Sequence, residues 1–210
     1  MSEINLTAIN ATSINTPSSG VVSGFVETID KTFKRKNDTG YVNSYQNAIS
    51  TSAQTINTTT RTYITGTNIK VGTTKLQAGT MFRWYITLTK TAAGTAASTF
   101  DICFGTAGTT ADTARVSFTK PAGTAAADEG LIEIKCIIRS IGSSGIAVGN
   151  FMMTHNGNTA GHATIPAVVV TTVSSAFDMT VASLQVGVCC TAGASDALTV
   201  QMVTSEWWDL

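Results

Sequence analysis

The stretch Met81-Phe-Arg-Trp-Tyr-Ile-Thr-Leu-Thr-Lys90 decides the fold class. Phe82, Trp84, Ile86 and Leu88 alternate with Arg83, Tyr85, Thr87 and Thr89. A period of two marks a half-buried strand, whereas a helix repeats its apolar positions every three or four residues. Ile132, Ile134, Cys136 and Ile138 repeat the pattern against Glu133, Lys135, Ile137 and Arg139. Leu184, Val186 and Val188 form one face of another strand, and Leu198, Val200 and Met202 one face of the last. Further strands are expected near 63–71, 98–104, 113–119, 146–154, 163–171 and 177–181, and no stretch carries the period of an amphipathic helix. Thr is abundant, and its branched Cβ suits a pleated, half-buried surface. Roughly eight to ten strands separated by Gly/Ala/Ser/Thr turns predict an all-β chain, an antiparallel jelly-roll-like β-sandwich over 61–210.

Upstream the pattern changes. Residues 1–24 are rich in Asn, Thr and Ser with Pro17, Gly20 and Gly24, and too little is apolar to offset the chain entropy without a partner surface. Residues 25–42 suggest a small hairpin, with Asp30-Lys31 and Asn37-Asp38-Thr39-Gly40 as turns. Residues 43–60 are again polar and are expected to be a linker, so 1–60 forms an extended arm with a hairpin.

Composition narrows the function classes. The 210 residues are 43% hydrophobic but only 12% charged, with 13 basic and 13 acidic side chains and a mean hydropathy of +0.18. Such a chain leaves little charged surface to keep a lone copy soluble, so either a membrane or neighbouring subunits are expected to cover it. The longest apolar runs, such as Ile165–Val170, fall far short of the ~20 residues of a spanning helix. The start Met-Ser-Glu-Ile-Asn-Leu has no basic residue ahead of an apolar stretch, as an export signal would. Assembly is therefore favoured over a membrane. Net charge of zero gives no general attraction to nucleic acid. Cys103, Cys136, Cys189 and Cys190 are expected to stay thiols, and neighbours Cys189 and Cys190 must face opposite sides of a strand.

No motif singles out a catalytic centre, cofactor or metal. His155 and His162 flank a turn and lack a third ligand at usable spacing, so they are expected at loop edges. No nucleophile elbow, phosphate loop or His-Glu-x-x-His is present. Asp101, Asp128, Glu129 and Asp178 remain open as carboxylates that spatial convergence would turn into a sugar-cleaving pair. Lys31, Lys34, Arg35 and Lys36 make one basic cluster, balanced by Glu27, Asp30 and Asp38. Trp207 and Trp208 face opposite ways, one to fill the core and the other as a subunit-interface anchor.

Two stretches resemble bacteriophage virion proteins. Pro17-Ser-Ser-Gly-Val-Val, Phe25-Val-Glu and Asp30-Lys-Thr-Phe-Lys-Arg-Lys-Asn-Asp-Thr-Gly40-Tyr-Val are similar to a pattern near the start of head-decoration and tail-associated proteins. Glu27 stands where the pattern has Asp, and Asn37 interrupts its Lys-Asp pair. Thr80–Lys90, Gly105–Arg115 and Gln201–Trp207 resemble the trimeric jelly-roll domains of phage structural proteins. The resemblance implies a non-enzymatic capsid decoration (cement) protein on the virion surface, a homotrimer bound to the major capsid protein or another virion subunit. Particle contacts are then expected at Phe25, Val26, Phe33, Lys34, Arg35, Lys36 and Tyr41, and trimer contacts at Trp207 or Trp208. The alternative is a head or tail fibre module that binds host glycan.

Overall fold

Strand pairing follows a nested order. The computed structural model describes residues 8–10, 13–19, 23–27, 33–36, 42–44, 46–72, 76–91, 94–156, 161–165, 167–194 and 198–208, and among them there is no α-helix. The strands of the main body are β5 (Gln46–Ser50), β6 (Gln54–Ile56), β7 (Thr62–Tyr63), β8 (Ile69–Gly72), β9 (Met81–Lys90), β10 (Ser98–Gly105) and β11 (Thr113–Lys120). They continue with β12 (Asp128–Ser140), β13 (Ile146–His155), β14 (Ala167–Val173), β15 (Leu184–Thr191) and β16 (Leu198–Trp208). The first of these, β5 with β6, pairs with the last, β16. Inside that pair, β7 and β8 run against β15, β9 against β12, and β10 against β11, all antiparallel. A hairpin nested in this way and rolled up is a jelly roll. The β9–β16 and β10–β15 ladders close it.

Two antiparallel sheets result. The larger has the order β14-β13-β12-β9-β16-β5, with β6 also on β16; the smaller is β11-β10-β15-β7, with β8 also on β15. The β13–β14 hairpin widens the larger sheet beyond the nested pairs. Phe82, Trp84, Ile86 and Leu88 point inward from β9, as the alternation requires, and meet Phe100, Ile102 and Phe104 of β10 in one core. Phe82 lies between Trp84 and Trp207, at ring-centroid distances of 6.1 Å and 6.0 Å, and meets Phe104 edge-on at 6.4 Å. Trp84 Nε1 donates to the Thr67 carbonyl at 2.8 Å, while Thr67 Oγ1 accepts from the Val188 N–H at 3.0 Å. One threonine thus ties the buried indole to the opposite sheet.

Three expectations need correction. Residues 46–56 are not linker: β5 and β6 complete the larger sheet, because their short polar strands need only ladder partners at its edge. Leu198, Val200 and Met202 do not share a face. A bulge between Val200 and Met202 adds one residue to β16, so Met202 turns outward and Val203, Ser205 and Trp207 turn in. The segment 177–181 forms only an isolated bridge, Gly145 to Phe177.

The N-terminal part builds a separate four-stranded sheet, β1 (Ala8–Ile9), β2 (Ser23–Glu27), β3 (Phe33–Lys36) and β4 (Val42–Ser44), in that order. β2, β3 and β4 form the expected antiparallel hairpins and β1 adds a parallel edge. The turns expected at Asp30-Lys31 and Asn37-Asp38-Thr39-Gly40 lie outside the described residues.

Candidate functional site

The registers lay out the outer face of the larger sheet row by row. Trp208, Met81, Ile137, Val148 and Val173 stand opposite one another across β16, β9, β12, β13 and β14. That row is apolar from end to end. The next holds Glu206, Arg83, Lys135, Asn150 and Thr171, and the next Thr204, Tyr85, Glu133, Met152 and Val169. Beyond it come Met202, Thr87, Leu131, Thr154 and Ala167. Val169 is 65% exposed, Val173 49% and Ile137 43%, and Leu131, Met152 and Met202 are also exposed.

The charges of the two central rows pair locally. Arg83 grips Glu206 Oε2 through Nε at 3.0 Å and Nη2 at 2.6 Å, and its guanidinium lies 4.7 Å from the Trp208 ring centroid and 4.8 Å from that of Tyr85. Lys135 Nζ sits 3.0 Å from Glu133 Oε1. The electrostatic field over these paired rows is weak. Six strands about 4.8 Å apart and roughly 30 Å long make a footprint on the order of 700 Å², comparable to one side of a standard protein interface.

A second cluster gathers titratable groups at one end of the sandwich. Asp128 Oδ2 receives His155 Nδ1 at 2.6 Å and the His162 N–H at 2.9 Å, and Asp128 Oδ1 accepts from the Glu129 N–H at 2.9 Å. His155 Nε2 is 2.6 Å from the Ile165 carbonyl, so both ring nitrogens are engaged. The two histidine rings meet edge-on at 6.4 Å. Lys120 Nζ donates to the carbonyls of His162 (2.8 Å) and Pro121 (3.1 Å), and Lys90 Nζ to those of Thr124 (2.5 Å) and Ala126 (3.2 Å). Gly161, at φ +95°, brings its backbone against the Asp128 carboxylate where a Cβ has no room. Burial, ahead of the nearby charges, lowers the His162 pKa to about 4, so its ring is neutral at pH 7.

This cluster was missed in the sequence, which offered only His-x6-His with no partner. The histidines are not at a loop edge, since His162 and Asp128 are buried and the His155 side chain is closed off. Asp128 lies 27 residues from His155 and reaches it only because β12 and β13 pair. Asp128, Lys90 and Lys120 hold loop backbone, while the two buried ring nitrogens of His162 make no hydrogen bond. A general base needs one nitrogen aimed at a substrate, and His155 has both committed. An open depression of about 500 Å³ beside it is lined by Thr87, Thr89, Glu129, Leu131, His155 and Gln201. Glu129 is its one carboxylate.

The four carboxylates considered for sugar cleavage each have their own setting. Asp101 Oδ1 accepts from Ser117 Oγ at 2.6 Å, Asp128 is held as above, and Asp178 caps its own turn through Thr180, whose hydrogen bonds lower its pKa. Among the described residues, no group of three or more His, Cys, Asp or Glu side chains is placed to hold a metal ion. Phe25 is buried, and Val26 half-buried; Phe33, Lys34 and Arg35 lie on β3, whose register pairs Phe33 with Val26 of β2. Lys36 Nζ donates to the Ile14 carbonyl at 2.6 Å. Tyr41 lies outside the described residues. Trp207 is fully buried and Trp208 lies on the outer face, as adjacent strand residues must. No protein-family model and no curated protein matches this chain.

Proposed function

We propose that this chain is a structural, non-catalytic component of a bacteriophage particle, a capsid decoration protein that assembles as a homotrimer and binds the shell. The observation carrying the reading is the outer face of the larger sheet, with its apolar row from Trp208 to Val173 and its charges spent on one another. A face of this kind is suited to burial against sibling chains, and a 12% charged composition makes its burial the simplest route to solubility. The non-catalytic part is supported by the Asp128–His155 pair, whose polar atoms are committed to holding loops. The virion part rests on the sequence resemblance and on the jelly-roll topology, which many unrelated functions share.

Attachment falls to the N-terminal sheet. Because β5 and β6 belong to the sandwich, the informative truncation removes residues 1–45. The truncated chain is expected to keep its β-sheet circular dichroism and to lose co-sedimentation with particles that the full chain decorates. Undiminished binding would refute the anchoring role. Copy number, counted by quantitative mass spectrometry of purified particles, separates cement from the alternative fibre role. Hundreds of copies per particle support cement, and a few dozen or fewer would replace it with a fibre.

A further inference from the structure

Two cysteines, Cys103 and Cys189, lie on the outer side of the smaller sheet. Cys103 stands opposite Gly187 and Cys189 opposite Asp101 on the paired strands β10 and β15, so the two cysteines are diagonal neighbours. Their sulfurs are 3.1 Å apart, closer than unbonded sulfurs ordinarily approach, and both residues are fully buried. Neither belongs to the central core that takes in Cys136 and Cys190. They lie instead beneath a cover of half-exposed groups. Tyr63 packs over Gly187, where any Cβ would collide with its ring. Arg61 Nη2 donates to the Thr110 carbonyl and, at 2.8 Å, to that of Asp112. The Asp112 carboxylate folds the 105–112 loop back by accepting from the N–H groups of Ala107 (3.0 Å) and Gly108 (2.8 Å).

We propose that Cys103 and Cys189 are a redox modification site, and that they close to an intramolecular disulfide joining the two middle strands of the smaller sheet. A disulfide is about 2.05 Å long, so the sulfurs need move only about 1 Å. Roles within the pair follow from the hydrogen bond. Cys103 donates to Cys189, which raises the Cys103 pKa and lowers that of Cys189. Arg61 lowers the Cys189 pKa further. Cys189 is therefore the attacking thiolate.

The co-reactant is a small disulfide such as oxidised glutathione. Once the covering Tyr63 and Arg61 side chains swing aside, the Cys189 thiolate attacks one of its sulfurs, the reagent's S–S bond breaks, and one glutathione thiolate leaves. Cys103 then attacks the Cys189 sulfur and passes its proton to the departing glutathione sulfur, releasing the second glutathione as a thiol. Two protein thiols are oxidised and one small disulfide is reduced to two thiols. Cys136 takes no part, because burial in the core pushes its thiol up to about 12. The bond would close a long loop, since the two cysteines are 86 residues apart, and so restrain the unfolded chain strongly.

The test uses the purified full chain, incubated with reduced or with oxidised glutathione and then denatured. Four thiols are expected to react with Ellman's reagent after reduction and two after oxidation. The oxidised protein should be lighter by two hydrogen atoms and melt at a higher temperature. Tryptic mapping should link the peptide holding Cys103 to the one holding Cys189. Cys190→Ser assigns the bond, because it should leave the link in place, whereas Cys189→Ser should abolish it. Four reactive thiols after oxidation, a persistent glutathione adduct, or a Cys103–Cys190 link would each overturn the proposal. Because no Lys or Arg separates Cys189 from Cys190, fragment-ion sequencing of the linked peptide from the unmutated chain keeps it falsifiable should Cys189→Ser fail to fold.

Discussion

The two faces of the larger sheet are built from the same strands and answer to different constraints. On the inner face every second residue of β9 is fully or almost fully buried, and Phe82, Trp84 and Trp207 stack into one aromatic column. On the outer face the aliphatic row of Ile137, Val148 and Val173 meets solvent, and the aromatic Trp208 lies under an arginine. One face is buried when the chain folds, and the other keeps apolar side chains exposed; on the proposed reading, sibling chains cover it. Inner substitutions should therefore change stability, while outer ones should change association.

The largest effect belongs to the inner face. Trp84→Ala removes a fully buried indole at one end of the column and orphans the Thr67 carbonyl, and is expected to cost about 3–5 kcal/mol in guanidinium unfolding. A loss below about 1 kcal/mol would mean that the two sheets do not pack as described.

Acid attacks the sandwich at its polar end. With the folded His162 pKa lowered to about 4, the unfolded chain takes up a proton that the folded chain refuses. Stability therefore falls as pH drops from the ordinary histidine pKa of ~6.5 toward about 4, by up to about 3 kcal/mol. Unfolding midpoints at several pH values in that window should show this slope in the unmutated chain and a flatter one in His162→Leu. Equal slopes would remove the buried neutral ring from the account.

The smallest stability effect is expected outside. Ile137→Lys combined with Val173→Lys should move the unfolding free energy of an isolated chain by no more than about 0.5 kcal/mol per site. Both residues are exposed and leave no cavity. A large loss would show that this face is part of the fold rather than an interface.

The legibility of the sequence follows the same division. The inner face could be read because Phe82 to Leu88 and Ile132 to Ile138 alternate cleanly, and alternation reports burial directly. The bulge at Gln201 could not, since a single extra residue leaves no mark in an already Thr-rich strand. β5 and β6 were hidden for a related reason: an edge strand needs a ladder partner more than an apolar face, so Gln46–Ser50 reads as linker. The Asp128, His155 and His162 cluster and the Cys103–Cys189 pair depend on contacts between distant segments, which one sequence does not encode locally. The opposed placement of Trp207 and Trp208, and of Cys189 and Cys190, needed only the two-residue period.

Sedimentation velocity on the purified chain beside the Ile137→Lys, Val173→Lys variant probes the outer face most directly. The unmutated protein is expected to sediment as a trimer of the 21.9 kDa chain and the variant as a folded monomer. Identical monomeric profiles for the two, over the concentration range reached in assembly, would contradict it.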